Sequence, residues 1–206
     1  MKLYDISMTI QENMMVYKNK TEKIPVITNS SNFSNSSSYE SNLMMNLHTG
    51  THIDAPLHMI EKEQTTDHYP LSLFLSSCVV LDFTANQEKI TRSDLEKQQI
   101  PKNHFVLLKT KNSWDDQFQS DFIYLDKSGA EFLEENNVLG VGIDALGIER
   151  NQPYHETHKI LLSRHIPILE GLRLKEVPAG EYILHALPLK IAGVEAAPTR
   201  AVLITK

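Results

Sequence analysis

The sequence predicts an α/β fold with a mixed sheet, and three observations support this class. Its 206 residues are enough for one domain with its own hydrophobic core. Short runs of apolar and β-branched residues have the length of strands rather than helices. Segments with helical patterning are interleaved with those runs, which is typical of α/β proteins. We find no internal repeat and no dividing linker, so we expect residues 1–206 to form a single domain.

The predicted strands are distributed along the chain. The four apolar runs are residues 77–83, 105–110, 138–143 and 199–204. Another strand is expected from residue 39 to His48, where the side chains alternate cleanly and His48 would end the strand on its more polar face. The polar stretch 28–38 is turn-forming, and we interpret it as an inert surface loop or a mobile lid within a hairpin-like start. Cys78 lies in an apolar run and is expected in the core rather than as a nucleophile.

Three helices are expected, at residues 93–98, 127–136 and 153–165. In the first, Ser93 would cap the N-terminus, with Glu96 three residues later completing a capping box. Pro153 suits the first turn of the third helix.

The composition excludes two classes of protein. There are 26 acidic and 20 basic residues, a formal charge of −6, and no basic stripe, so a nucleic-acid partner is not expected. No apolar run reaches the length of a membrane span, and the N-terminus lacks the apolar core of a secretion signal. We therefore expect a cytoplasmic protein without a membrane partner.

One short segment carries most of the chemical information. Three of the nine histidines fall between residues 48 and 58, together with Asp54. His48, His52, Asp54 and His58 all occupy even positions, so in an extended chain their side chains would point the same way. A glycine and a proline between them bend the chain, so the argument from alternating side chains is approximate. The pattern predicts that all four side chains face one cavity.

Imidazole and carboxylate groups together suit zinc, or manganese when oxygen ligands increase. A metal with an open position lowers the pKa of its bound water towards about 7, which makes hydroxide available at neutral pH. A further histidine can then move protons. The alternative is that these are ordinary histidines that bind no metal. It is less favoured, because all four potential ligands occupy even positions. A structural zinc site is also disfavoured, because such sites often use cysteines and the chain has one.

A second cluster lies about a hundred residues further on. His155, His158 and His165 fall within the third predicted helix, and Glu170 follows it. One of these histidines and Glu170 are expected to complete the metal site. Spacing alone does not choose among the three histidines.

These two clusters resemble the cyclase family of metal-dependent hydrolases, which includes bacterial kynurenine formamidase and isatin hydrolase. The family pattern His-x-Gly-Thr-His-x-Asp-x-Pro-x-His is matched from His48 to His58, and residues 158–172 resemble the family's C-terminal ligand block. Shorter similarities extend over nearly the whole chain, at residues 5–7, 142–144, 187–190 and 197–200.

The resemblance implies a swivelling β/β/α-type cyclase fold and a homo-oligomer, either a dimer or a tetramer. It also implies two divalent metal ions, zinc or manganese, with Asp54 bridging them and His58 as the general acid/base. The choice within the third helix becomes His158. The implied metal ligands are His48, His52, Asp54, His158 and Glu170.

The resemblance implies an arylformamidase, in which a metal-bound hydroxide attacks the carbonyl of an aryl formamide such as N-formylkynurenine. Tyr17 stands where the formamidases place an aromatic residue near the substrate, but the Pro-Gly-Asp that follows in that family is Lys18-Asn19-Lys20 here. Tyr17 is therefore either a substrate-binding or a packing residue. Two alternatives stay open: hydrolysis of a cyclic amide or lactone, as in isatin hydrolase, and a non-catalytic metal- or ligand-binding protein with the same fold.

Overall fold

A nine-stranded mixed sheet and two small two-stranded sheets make up the β-structure of the computed structural model, which describes residues 1–206. The strands are β1 (Leu3–Asp5), β2 (Val26–Ser31), β3 (Glu40–Met44), β4 (His52–Asp54), β5 (Leu75–Asp82), β6 (Lys89–Ile90), β7 (Phe105–Lys109), β8 (Tyr124–Leu125), β9 (Gly140–Ile143), β10 (Ile168–Glu170), β11 (Gly180–His185), β12 (Ala196–Pro198) and β13 (Val202–Thr205). The α-helices are α1 (Arg92–Leu95), α2 (Lys127–Glu135) and α3 (Glu156–Leu162). The 3-10 helices are Tyr17–Asn19, Thr21–Lys23, Pro56–His58, Thr66–His68, Leu71–Phe74, Lys111–Trp114 and Pro153–His155.

The large sheet has the strand order β1-β13-β11-β5-β7-β9-β10-β4-β12. Its central strands β5, β7, β9 and β10 run parallel, and every other neighbouring pair is antiparallel. Parallel neighbours require crossover connections, and each of the three crossovers here contains one α-helix. The predicted α/β class with a mixed sheet is therefore confirmed. None of the helices combines the length and apolar character needed to cross a bilayer.

Apolar layers cover both faces of the central strands. Along β7, Val106 and Leu108 belong to one core cluster with residues of α2 and α3, whereas Phe105 and Leu107 belong to the cluster on the opposite face. Strands buried on both faces form near-continuous apolar runs, which explains the runs in the sequence. Cys78 is fully buried in the second cluster, as predicted.

The helix boundaries differ from the sequence prediction. The first helix starts after Thr91, whose backbone N–H donates to Asp94 at 2.9 Å, so the capping box lies two residues before the predicted Ser93 and Glu96 pair. The third helix does not run from 153 to 165, because Tyr154 and His155 have positive φ angles of 60° and 55°. The α-helical part begins only at Glu156 and ends at Leu162.

The predicted strand from residue 39 to His48 is also shorter than expected. β3 ends at Met44, and the chain then turns, with the His48 backbone N–H donating to the Asn46 side chain at 3.0 Å. Local side-chain to backbone bonds of this kind compete with strand pairing. β3 pairs only with β2, in a hairpin that contains the whole polar stretch 28–38.

Asp144, at the end of β9, braces the adjoining loop from inside the core. Its carboxylate accepts hydrogen bonds from the backbone N–H of Thr110 at 2.9 Å and from the hydroxyls of Thr110 and Ser113 at 2.7 Å each. Burial nevertheless raises the pKa of Asp144 to about 6, because the hydrogen bonds offset only part of the cost of burying a charge.

We predict that Asp144→Asn changes the pH dependence of stability. A pKa raised from 3.8 to about 6 means that Asp144 favours folding at low pH and loses this contribution as the pH rises through 6. The unfolding free energy of the variant relative to the wild type should therefore increase by about 2 kcal/mol between pH 4 and pH 7. Urea denaturation across this range measures the difference, and a constant value would contradict the raised pKa.

Candidate metal centre and its cavity

The pairing of β4 with β10 brings the two parts of the candidate site together. In this antiparallel pair His52 lies opposite Glu170, and Asp54 lies opposite Ile168. Alternate residues of a strand share a face, so His52, Asp54 and Glu170 project from the same side of the sheet. All three are buried. The register of two three-residue strands thus joins residues that are more than a hundred positions apart.

Two glycines allow the chain to approach this strand pair closely. Gly50 and Gly171 both have positive φ angles, 71° and 68°. A Cβ atom on Gly171 would collide with the backbone carbonyl of Gly50. Beside this contact, the buried hydroxyl of Thr51 donates to the Gly171 carbonyl at 2.6 Å. The turn that carries His48 is therefore held directly against the end of β10.

His48, His52 and Asp54 form one tight group of ligand atoms. Nδ1 of His48 lies 3.2 Å from Nε2 of His52 and 2.9 Å from Oδ1 of Asp54, and Nε2 of His52 lies 3.4 Å from the same oxygen. Two ligands of a tetrahedral zinc ion, each about 2.0–2.1 Å from the metal, are about 3.3 Å apart. The three distances therefore fit one metal ion.

A second group shares Asp54. Its other oxygen, Oδ2, lies 3.8 Å from Nε2 of His158, and the same nitrogen lies 3.4 Å from Oε1 of Glu170. Oε2 of Glu170 lies 3.5 Å from Nε2 of His52, which links the two groups. The carboxylate of Asp54 thus has one oxygen directed at each group, which is the arrangement that a bridging ligand requires.

Unsatisfied polar atoms indicate that these residues fit a metal. Both oxygens of Asp54 are buried and accept no hydrogen bond from the protein. A buried carboxylate without a partner is costly, and a divalent cation would remove that cost. Nδ1 of His52 faces the Gly50 carbonyl at 2.9 Å, so the proton is expected on Nδ1 and the lone pair on the Nε2 that faces Asp54.

The charges of the site also favour a bound metal cation. Burial alone would raise the pKa of Asp54, but the neighbouring His52 and His48 hold it well below its usual range. Burial alone would lower the pKa of His158, yet Glu149, Glu170 and Asp54 raise it to about 10. A site whose carboxylates attract a proton this strongly also attracts a metal cation.

Glu149 is a site residue that the sequence analysis missed. It is buried, and its Oε1 lies 3.0 Å from Nδ1 of His158 and 2.7 Å from Nδ1 of His155. Its Oε2 accepts the backbone N–H of Thr157 at 3.0 Å. A carboxylate on Nδ1 directs the other nitrogen of His158 towards Asp54 and Glu170. The only signal in the sequence was an acidic residue nine positions before His158.

The structure distinguishes the three histidines that spacing alone could not. Only His158 contacts both Asp54 and Glu170, and it is buried. His155 is 61% exposed and contacts Glu149, through the same carboxylate oxygen that faces His158. His165 is exposed and lies beyond the end of α3, with a φ of 55°.

A cavity of about 290 Å³ opens onto these residues. His58 lines it beside the ligand groups, with its ring centroid 4.2 Å from that of His48 and 5.5 Å from that of His158. Tyr17 lines another part and packs edge-on against Phe118 at 5.3 Å. The cavity therefore combines candidate ligands, an additional histidine and an aromatic ring.

We predict that Gly171→Ala disrupts the site. The new methyl group would meet backbone that cannot move aside, and the positive φ adds strain, so unfolding free energy should fall by about 2–4 kcal/mol. Metal content measured by mass spectrometry should fall as well. Gly193→Ala is the matched control, because Gly193 also has a positive φ of 72° but no atom lies within 4 Å of an added Cβ. Equal effects of the two changes would contradict the role of the Gly50 contact.

We also predict that Glu149→Gln weakens metal binding by about 10–100-fold, because His158 would lose the carboxylate that orients its ring. Competition with a chromophoric chelator measures the affinity. Glu156→Gln is the control, since Glu156 lies on the same helix as His158 but its carboxylate pairs with Lys127 at 3.0 Å. An affinity for Glu149→Gln within twofold of the wild type would argue against this role.

Comparisons with known proteins agree with the geometry. The family model described as "Putative cyclase" matches residues 4–150. The kynurenine formamidase of Salinibacter ruber is 36% identical over 209 residues, which cover 98% of this chain and 97% of that protein. One similar solved structure is named "The Structure Of Potential Metal-Dependent Hydrolase With Cyclase Activity". It has a TM-score of 0.91 at 46% identity, and the match covers 98% of this chain and 96% of that chain. Isatin hydrolase A of Labrenzia aggregata has a TM-score of 0.85 at 24% identity, covering 100% of this chain and 94% of its own, which is evidence for the fold alone. By these matches, the chain belongs to the cyclase family.

Proposed function

We propose that this protein is a metal-dependent amide hydrolase of the arylformamidase type, which cleaves the C–N bond of N-formylkynurenine or a related aryl formamide. The observation that carries the proposal is the cavity in which His58 and Tyr17 lie beside the two ligand groups that share Asp54. The similarity to kynurenine formamidases over most of the chain supports this choice of reaction.

The residues that would hold the metal divide into two sets with one member in common. His48 and His52 would hold one ion, His158 and Glu170 a second, and Asp54 would bridge them. The donor set suits zinc or manganese. When bound, such ions polarise a carbonyl oxygen and lower the pKa of water at the site.

His58 would transfer the proton that the reaction must move. Burial, together with the nearby His48 and His158, lowers the pKa of His58 to about 4, so its ring is neutral at pH 7 and can accept a proton. Hydrolysis adds water across the amide bond, and the departing aryl amine must gain a proton. His58 would take this proton from the attacking water and deliver it to the nitrogen as the C–N bond breaks. One ring nitrogen of His58 lies within 4.8 Å of candidate ligand atoms of His48 and Asp54, so the test of His58 includes the metal content as well as turnover.

Tyr17 would bind the aromatic part of the substrate. Its ring lines the cavity and is supported by Phe118 and by Phe122, whose centroid lies 6.4 Å away. Burial and the carboxylates of Glu170 and Glu149 raise the pKa of Tyr17, so the phenol is neutral and presents an uncharged ring to an aryl group. Aromatic rings supply contact area at a defined orientation.

A cyclic amide, as hydrolysed by isatin hydrolase, is the second candidate, because the same apparatus would open a ring as readily as it removes a formyl group. Isatin hydrolase A shares this fold, which is compatible with that reaction. A binding protein without catalysis is less favoured, because His58 adds a proton-transfer group to a ligand set that is complete without it.

We further propose a homodimer or homotetramer. The hairpin of β2 and β3 exposes apolar side chains, namely Val26, Ile27, Leu43 and Met44. It pairs with no other strand of the chain, and an isolated two-stranded hairpin is marginally stable in water. A second copy of the chain would cover these residues.

We predict that His58→Ala lowers kcat on N-formylkynurenine by about 10²–10⁴-fold while the metal content is retained. Asp54→Ala is the complementary change, because loss of the shared carboxylate should remove both the metal and the activity. Mass spectrometry of protein purified without chelator gives the metal content, and two equivalents per wild-type chain are expected. Loss of metal from the His58→Ala variant would show that His58 is a metal ligand, which would contradict a role in proton transfer alone. If the metal-loaded wild type hydrolyses isatin but not N-formylkynurenine, the second candidate replaces the first.

A further inference from the structure

Two lysines at the cavity form no salt bridge with a carboxylate of the protein. Lys18 and Lys23 both line the cavity that contains His58 and Glu170. No carboxylate lies within 4 Å of either ammonium group, whereas Lys20, between them in the chain, lies 3.7 Å from Glu22. Both ammonium groups instead lie over the Tyr17 ring, with Nζ at 5.2 Å and 5.7 Å from its centroid. Two cations thus converge on the ring that would contact an aryl substrate.

The backbone holds these lysines in place at some cost. Lys18 and Asn19 are consecutive residues with positive φ angles, 56° and 51°, a conformation unfavourable for lysine. Strain of this kind persists where the surrounding structure imposes it, and it is concentrated at functional sites. The carbonyl of Lys23 accepts a hydrogen bond at 2.7 Å from the hydroxyl of Thr49, which directly follows His48. The segment carrying both lysines is therefore tied to the ligand turn.

The charge distribution shows what these lysines can do. The other charged groups of the cavity and its floor are the carboxylates Asp54, Glu149 and Glu170, all of which are directed at histidines. They belong to the candidate ligand groups and their histidines, and none of them is paired with Lys18 or Lys23. Lys18 and Lys23 therefore remain as unpaired cations beside Tyr17 at the cavity, where they can attract an anionic group of a ligand.

We propose that Lys18 and Lys23 form an anion-binding subsite that receives a carboxylate of the substrate, on the part of the molecule remote from the bond that is cleaved. The inference rests on the proposed amide hydrolysis for the orientation of the substrate. It assigns recognition of the substrate's carboxylate to these two lysines. Lys23 is half-buried and Lys18 exposed, so Lys23 contributes the less screened interaction and Lys18 reaches the anion at the opening.

The test compares two probes that differ by one carboxylate, 4-formamidobenzoate and formanilide. For the metal-loaded wild type, kcat/KM should be higher for 4-formamidobenzoate, which carries the carboxylate, than for formanilide. In the double variant Lys18→Gln, Lys23→Gln, the ratio of the two kcat/KM values should fall about tenfold, the expected size for two partly screened ion pairs. Lys20→Gln is the matched control: it removes one positive charge from the same segment outside the cavity, and the ratio should stay unchanged.

A binding measurement separates this inference from the proposed function. Isothermal titration calorimetry of both probes gives an affinity ratio whether or not either is hydrolysed. If neither probe turns over but the wild type binds the acid more tightly and the double variant does not, the subsite stands and the hydrolytic proposal fails for these amides. A preference for the acid that persists in the double variant, or one that Lys20→Gln reduces equally, would overturn the subsite.

Discussion

The pairing of β4 with β10 is the constraint on which the rest of the site depends. It places His52 opposite Glu170 on one face of the sheet. A shift of one residue in this register would turn one partner to the other face, because strand side chains alternate. The close contact of Gly50 with Gly171 and the hydrogen bond from Thr51 to the Gly171 carbonyl maintain the register where the chain enters β4.

The electrostatics of the site follow from that pairing. It concentrates buried carboxylates among histidines, and both oxygens of Asp54 accept no hydrogen bond from the protein. The protein then orients the histidine rings from outside. The carbonyl of Gly50 faces Nδ1 of His52 and the carboxylate of Glu149 faces Nδ1 of His158, so in both rings Nε2 is directed inwards. Such an arrangement is costly for folding alone and is suited to binding a cation.

The cavity above these ligands divides into regions of different chemistry. The floor is acidic and rich in histidine, the aromatic ring of Tyr17 lies to one side, and Lys18 and Lys23 converge on that ring. A substrate with a polar amide, an aryl ring and a distal carboxylate would match all three regions. Lys18 lies in the stretch Lys18-Asn19-Lys20, where the sequence departs from the formamidase pattern, whereas the segment from His48 to His58 matches the family pattern closely.

The sequence by itself determined the α/β class, the central apolar strands and the segment from His48 to His58, because these depend on local patterns of apolar and liganding residues. It did not determine how that segment is shaped. His52 and Asp54 share a face of the extended strand β4, as their alternation suggested, whereas His48 and His58 reach the site through a turn after β3 and a 3-10 helix at Pro56–His58. Only the tertiary structure selected His158 over His155 and His165, and only it showed Glu149 behind that ring. These features depend on strand register and helix placement across more than a hundred residues, which no local pattern encodes.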